Sequence, residues 1–144
     1  MSLTHDVASL LPHEGRMCLL ERVLDWDDAT VTLATATHRD PANPLLSDGR
    51  LRAIHLCEYG AQAMAVHGGL RARARGERPR PGLLVSLRDV VLDCDYVDDL
   101  MGELIVSAHC VHESLSAWQY DFRVTHGQRQ VAQGRATVSL APGT

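Results

Sequence analysis

One carboxylate within an otherwise apolar helical stretch is where this sequence offers chemistry. Residues 54–70 read IHLCEYGAQAMAVHGGL. At about 100° per residue, Ile54, Glu58, Ala61, Gln62, Ala65 and Gly69 share one face, while Leu56, Tyr59, Ala63, Met64 and Leu70 cover much of the rest. A helix apolar on every side is a buried helix. Glu58, Gln62 and two histidines within it, and Arg52 and Arg71 beside it, make a poor membrane span, so the burial is expected inside protein. A carboxyl so placed either finds a partner or has its pKa raised by desolvation. Protonated near neutrality, it can deliver a proton to a departing hydroxyl. The competing reading has Glu58 paired with Arg or His, merely ordering the core. Gln62 lies one turn on, in reach of the carboxyl by a hydrogen bond. Backbone N–H groups at Ala53 and Ile54 open the helix, where they can polarise a carbonyl. Two histidines lie near Glu58 along the chain: His38, in the preceding loop, and His55, on the helix itself.

A chain of 144 residues fits one domain, taken as residues 1–144, and can bury a sizeable core. Its formal net charge of −4 and pI near 6.0 argue against a nucleic-acid binder. The start, MSLTHDVASL, lacks the basic and apolar regions of a secretory signal, and no membrane span is visible, so a cytoplasmic protein is expected. Cys18, Cys57, Cys94 and Cys110 form no C-x-x-C pair and read as buried reduced thiols. His109-Cys110-Val111-His112 is the best local metal candidate. On a regular strand, however, its two histidines point to opposite faces, so no metal site is expected.

The elements that must position Glu58 follow from periodicity. Residues 6–11 suit a short helix capped by Thr4 or Asp6 and stopped by Pro12. Residues 17–26 and 30–37 read as two strands joined at Asp27-Asp28, the second alternating with period two. Residues 38–52 hold prolines, Asn, Asp and Gly, and read as a loop with turns. After the helix, Arg71, Arg73, Arg75, Arg78 and Arg80 form a basic, exposed connection ended by Pro79, Pro81 and Gly82. It suits an acidic partner by charge, or is simply a solvated loop. Residues 82–92, 102–113, 118–125 and 128–140 read as strands with short connections, hence antiparallel neighbours. An antiparallel sheet of these six strands curled around one helix covers the helix and gives an α+β fold. One face still stays open, which predicts dimerisation by joining sheet edges.

Residues 10–24, LLPHEGRMCLLERVL, resemble the opening of the hotdog-fold β-hydroxyacyl-acyl-carrier-protein dehydratases of the FabZ and FabA type. Glu58-Tyr59-Gly60-Ala61-Gln62-Ala63 is similar to that family's central-helix motif, an acid followed one turn later by Gln. Residues 82–90, GLLVSLRDV, are similar to the strand after it. The ApeP-like members, associated with aryl polyene synthesis, share the Pro and Gly of the loop before the helix. The resemblance implies a hotdog fold, in which a six-stranded antiparallel sheet wraps one long central helix. It also implies dehydration of a 3-hydroxyacyl thioester on phosphopantetheine to the trans-2-enoyl product, with no cofactor. In that mechanism a His removes the proton beside the thioester carbonyl and the acid protonates the leaving hydroxyl, the two residues coming from opposite subunits.

Carried onto this chain, the resemblance makes Glu58 the acid and places Gln62, Ala53 and Asn43 against substrate. Where the family has Gly-His-Phe-Pro-Gly, this chain has Asn43-Pro44-Leu45-Leu46-Ser47, which leaves His38 as the internal candidate for the base. Arg52-Ala53 replaces the Pro-Gly that opens the family's helix. The implied partners are an acyl carrier protein or a CoA thioester, and a second hotdog chain in a homodimer or heterodimer. Two other readings stand beside dehydration. One is a hotdog thioesterase whose carboxylate activates water, and the other is a subunit that contributes half a site to a partner.

Overall fold

Alternation dictates the sheet, because each alternating run turns one row of side chains to a core and the other to water. The structure, a computed structural model, describes residues 7–10 and 17–141. In chain order come α1 (Val7–Leu10), β1 (Arg22–Trp26), β2 (Thr30–Thr35) and a 3-10 turn (Thr37–Arg39). A second 3-10 turn (Ala53–His55) leads into α2 (Leu56–Ala74), followed by β3 (Gly82–Leu92), β4 (Leu104–Glu113), β5 (Ala117–His126) and β6 (Arg129–Leu140). The strands pair antiparallel in one six-stranded sheet, ordered β1-β2-β4-β5-β6-β3. It wraps α2, which packs on β2, β4, β5 and β6. Two buried rows cross its inner face: Leu33, Val106, Val124 and Ala132 lie side by side, as do Val31, Ala108, Phe122 and Gly134.

Phe122 sets the fit between helix and sheet. A Cβ at Gly60 of α2 would stand 2.5 Å from the Phe122 ring, and one at Gly134 of β6 would stand 2.6 Å from it. Glycine at both positions lets the ring lie between the two elements. Most of α2 is buried, and its more open stripe runs through Ile54, Glu58, Ala61, Ala65 and Gly68. These positions recur at helical spacing, so they form one continuous face.

β3 is an edge strand, and it is apolar on both faces. Leu84 and Leu87 pair with the inward Val138 and Ala136, yet both remain 38 % exposed because their own α2 lies over the other strands. On the outer face Leu83 and Val91 are more exposed still. An unpaired edge of this composition is a pairing surface.

The structure departs from the sequence expectations at several points. The strand expected over residues 17–26 shortens to β1: Leu19 and Leu20 are both buried, but the Leu19 backbone is drawn towards α2 and β2 by side-chain hydrogen bonds from Gln62 and Thr35. Its partner ends at Thr35, where the chain tightens into the 3-10 turn that holds His38. α2 runs into the arginine segment, since Arg and Ala favour helix. It ends at left-handed Gly76 (φ 68°), with Gly76 N–H bonded to Arg73 O and Glu77 N–H to Ala72 O.

Arg71 is consequently not an exposed loop residue. It is 3 % exposed, bonds Glu113 through Nη2 at 3.0 Å, pairs with Asp28 at 3.2 Å and lies 4.7 Å from the centre of the Trp118 ring. Arg75 is held by Asp28, and Arg80 by the Leu115 and Ala141 carbonyls, so much of the basic run is tied to its own chain. The expected opposition of His109 and His112 also fails. A bulge between Cys110 and His112 shifts the register, and the two histidines face Asp121 and Gln119, residues of the same sheet face. Among the described residues no group of three His, Cys, Asp or Glu side chains gathers as a metal site, and no helix is long and apolar enough to cross a membrane. The proposed cap residues Thr4 and Asp6, Pro12 and the start of the 10–24 motif at residues 11–16 lie outside the described residues.

Candidate functional site

Glu58 lies in the first turn of α2, half-buried on the open stripe. Gln62, 1 % exposed, reaches back to it: Nε2 donates to Glu58 Oε1 at 3.2 Å and to the Met17 carbonyl at 2.7 Å. Its Oε1 accepts the Leu19 N–H at 2.9 Å. The amide therefore has its acceptor and both donor hydrogens in use. It fixes one carboxyl oxygen and pins residues 17–19 against the helix. A buried amide can do so because an unsatisfied one would cost about 1–3 kcal/mol.

The helix start is anchored from the other side. Residues 51–53 pair with residues 95–97: Ala53 N–H bonds Asp95 O at 2.8 Å, and Val97 N–H bonds Leu51 O at 3.0 Å. Ala53 is 1 % exposed and its N–H is already used, whereas the next residue, Ile54, is 51 % exposed. An open groove of about 720 Å³ borders this start, lined by Arg52, Ala53, Ile54 and residues 92–96. Arg50 and Arg52 both stack on its Tyr96, at 4.2 and 5.6 Å from the ring centre.

Of the candidate residues only Ala53 and its neighbour Ile54 line this groove; Glu58, Gln62, His38, Asn43 and His55 do not. His38 is fully buried in its 3-10 turn. Its Nε2 bonds the Leu100 carbonyl at 2.8 Å, and its Nδ1 has no partner among the described residues. Burial holds its pKa below the ordinary histidine value. Asn43, 7 % exposed, is also turned inward. Its Nδ2 donates to Thr37 O at 2.9 Å and to Tyr59 Oη at 3.1 Å, and its Oδ1 accepts Leu45 N–H at 2.8 Å. His55 is half-buried, one turn before Glu58.

Two buried polar clusters had no counterpart in the sequence reading. Tyr59, fully buried, joins its hydroxyl to Thr37 Oγ1 at 2.8 Å, and burial pushes its pKa up. Towards the far end of α2, His67 is likewise fully buried. It bonds Tyr120 Oη at 2.7 Å through Nδ1 and the Asp27 carbonyl at 2.9 Å through Nε2, and burial lowers its pKa. The only signal in the sequence was their position within a helix that had to be buried all round.

Residues 5–142 match the family model described as ApeP-like, ApeP dehydratase. No curated protein is similar enough to the sequence to count as a relative. Among solved structures, the chain is similar to one from the dehydratase heterocomplex ApeI:P of Xenorhabdus doucetiae, with TM-score 0.86 and 24% identity over 98% of this chain and 93% of that one. It is also similar to a hypothetical thioesterase from Streptococcus pneumoniae with coenzyme A, with TM-score 0.61 and 16% identity over 83% and 84% of the two chains. A Streptococcus mutans protein bound to acetyl CoA gives TM-score 0.60 and 13% identity over 83% and 87%. The shared architecture is the hotdog fold.

Proposed function

The chain belongs to the ApeP-like dehydratase family, and from that premise we propose that it supplies the acid half of a pocket that removes water from a 3-hydroxyacyl thioester carried on phosphopantetheine. A base takes the C2 proton, activated by the thioester carbonyl, and the C2–C3 double bond forms as the C3 hydroxyl leaves. Glu58 protonates that hydroxyl, so water is the second product. Ile54 N–H, at the positive end of α2, steadies the negative charge on the carbonyl oxygen, and Gln62 holds the carboxyl. The base comes from a second hotdog chain that carries a loop histidine.

One observation carries this reading: Glu58 stands on the open stripe of α2, while Asn43, which with its neighbours occupies the loop region where the resemblance puts the family's histidine, has its side-chain polar groups all used within its own chain. An amide is in any case no base for a carbon acid. The test mixes the purified chain with a hotdog chain that retains the loop histidine and follows enoyl formation from 3-hydroxyacyl carrier protein. Activity is expected in the mixture, little in this chain alone, and only a small residual rate in the mixture with Glu58→Gln. Efficient turnover by the chain alone, abolished by His38→Ala in a protein of unchanged assembly, would make His38 the base and end the shared-site reading.

A second reading is hydrolysis of an acyl thioester, with Glu58 activating water. It is motivated by the thioesterase with coenzyme A among the similar folds. Release of free thiol from acyl-CoA, without loss of water from the 3-hydroxyacyl substrate, would select it.

A further inference from the structure

Asn43 is linked to Glu58 by two runs of hydrogen bonds within the same chain that meet at the Leu19 backbone. Asn43 Nδ2 donates to Tyr59 Oη at 3.1 Å. Tyr59 Oη and Thr37 Oγ1 are 2.8 Å apart, and Thr37 Oγ1 donates to the Leu19 carbonyl at 2.6 Å. Since the single Thr37 hydroxyl hydrogen is used there, Tyr59 is the donor to Thr37. The Thr35 hydroxyl also donates to the Leu19 carbonyl, again at 2.6 Å. On the other side of the same residue, Leu19 N–H donates to Gln62 Oε1 at 2.9 Å, and Gln62 Nε2 donates to Glu58 Oε1 at 3.2 Å. From Asn43 to the Leu19 carbonyl every donor points the same way, an arrangement in which successive hydrogen bonds polarise and strengthen one another.

Leu19 contributes no side-chain chemistry, yet its backbone is gripped on both sides of its Cα. Of the residues that grip it, Thr35 and Gln62 are at most 1 % exposed and Thr37 is half-buried, while Leu19 itself and Tyr59 behind Thr37 are at most 1 % exposed. We propose that Tyr59, with Asn43 and Thr37, is a positioning residue for Glu58: the loop here braces the acid of its own chain through the Leu19 backbone and Gln62. The proposal rests on the reading of Glu58 as the acid. It explains why an asparagine suits position 43, since its two amide hydrogens serve the Thr37 carbonyl and the Tyr59 hydroxyl at once, an arrangement a lone imidazole N–H cannot reproduce.

The test uses Tyr59→Phe, Thr37→Val and Thr37→Ser in the complex with the histidine-bearing hotdog partner. Tyr59→Phe and Thr37→Val are expected to lower kcat on 3-hydroxyacyl carrier protein about tenfold with little change in KM, as a displaced acid would. Thr37→Ser, which keeps the hydroxyl, is expected to retain the rate. In a Glu58→Gln background neither substitution should lower the residual rate further. A loss of the same factor in that background, following a fall in Tm, would reduce these residues to structural ones and overturn the proposal. Amide hydrogen exchange at Leu19 supplies a readout independent of turnover. It should quicken in Thr37→Val and return to its original rate in Thr37→Ser, and an unchanged Leu19 amide in Thr37→Val would also refute the brace. If no partner yields dehydration, the proposed function fails, while the exchange result still decides whether the brace exists. Should Tyr59→Phe fold poorly, the two Thr37 variants carry the comparison.

Discussion

Replacing Gly60 by Ala tests whether the Phe122 ring sets the height of α2 above the sheet, because two opposing effects meet there. Alanine is the better helix former by about 0.8–1 kcal/mol, so propensity alone predicts a stabler protein. The new Cβ, however, would stand 2.5 Å from Phe122 Cδ1, 2.6 Å from Cγ and 3.1 Å from Cβ. These atoms form the root of the side chain, which cannot swing aside as a flexible tip would. Retreat is closed as well, since Cε2 and Cζ of the same ring lie 2.6 and 2.8 Å from the Cβ position of Gly134. Overpacking of this kind costs about 1–3 kcal/mol, with the upper part of that range expected for a ring held on both sides. The net expectation is a loss of about 1–2 kcal/mol, which lowers the urea midpoint by roughly 0.5–1 M at a slope of about 2 kcal/mol per M. Phe122→Leu makes room, so its own cost should be smaller in the Gly60→Ala background, with a coupling above about 0.5 kcal/mol. A Gly60→Ala protein as stable as the original, or stabler, would refute the account of the contact.

Acid should destabilise the protein earlier than its carboxylates require. Burial holds His38 and His67 below the ordinary histidine pKa, so the unfolded chain takes up these protons first. Their contribution is complete above about pH 6.5 and is lost as pH falls from there towards the folded values, whereas Asp27 and Asp98, held low by hydrogen bonds, act only near and below about pH 4. Urea midpoints that stay flat between about pH 7 and 5 would contradict this. For Arg71 the order of costs is the prediction. Arg71→Met leaves behind only Asp28 and Glu113, 73% and 48% exposed and able to rehydrate, and should cost about 1 kcal/mol. Asp28→Asn with Glu113→Gln strands a buried guanidinium on Trp118 and should cost about 3 kcal/mol, so the reverse order in calorimetry would disprove this account of Arg71. Lysine at both Leu84 and Leu87 should turn an assembled species into monomer by light scattering, and an unchanged mass would exclude the inner face of β3 from the interface.

Strands were legible in the sequence wherever the signal was local. β3 occupies residues 82–92 as read, and β5 and β6 follow the alternation of Trp118, Tyr120, Phe122 and Val124 and of the small residues Ala132, Gly134 and Ala136. Residues 17–20 misled because an apolar run announces burial without saying which hydrogen bonds the backbone will make. Those of Leu19 go to Gln62, Thr35 and Thr37, partners set by tertiary contact. Glu58, the helix that carries it and its contact with Gln62 were legible because one turn separates the two side chains. Asn43 was read as a loop residue against substrate, in the region where the resemblance puts a histidine. Its service to Tyr59 depends on how the loop folds over α2, and no periodicity records that. Arg71 was read as solvent-exposed because its neighbours are charged, although its carboxylate partners come from the β1–β2 connection and the end of β4.

The doubly apolar edge at β3 also bears on how such a chain survives its own synthesis. A strand with leucine and valine on both faces and an unsatisfied row of backbone groups is a template for indiscriminate pairing. Until a partner occupies it, the newly made polypeptide competes between correct assembly and aggregation, and the outcome depends on concentration. If the second hotdog chain proposed above is what occupies this edge, matched supply of the two chains is part of the protein's stability. An orphan copy would be cleared or precipitate, and soluble yield should rise when the partner is produced in the same cell.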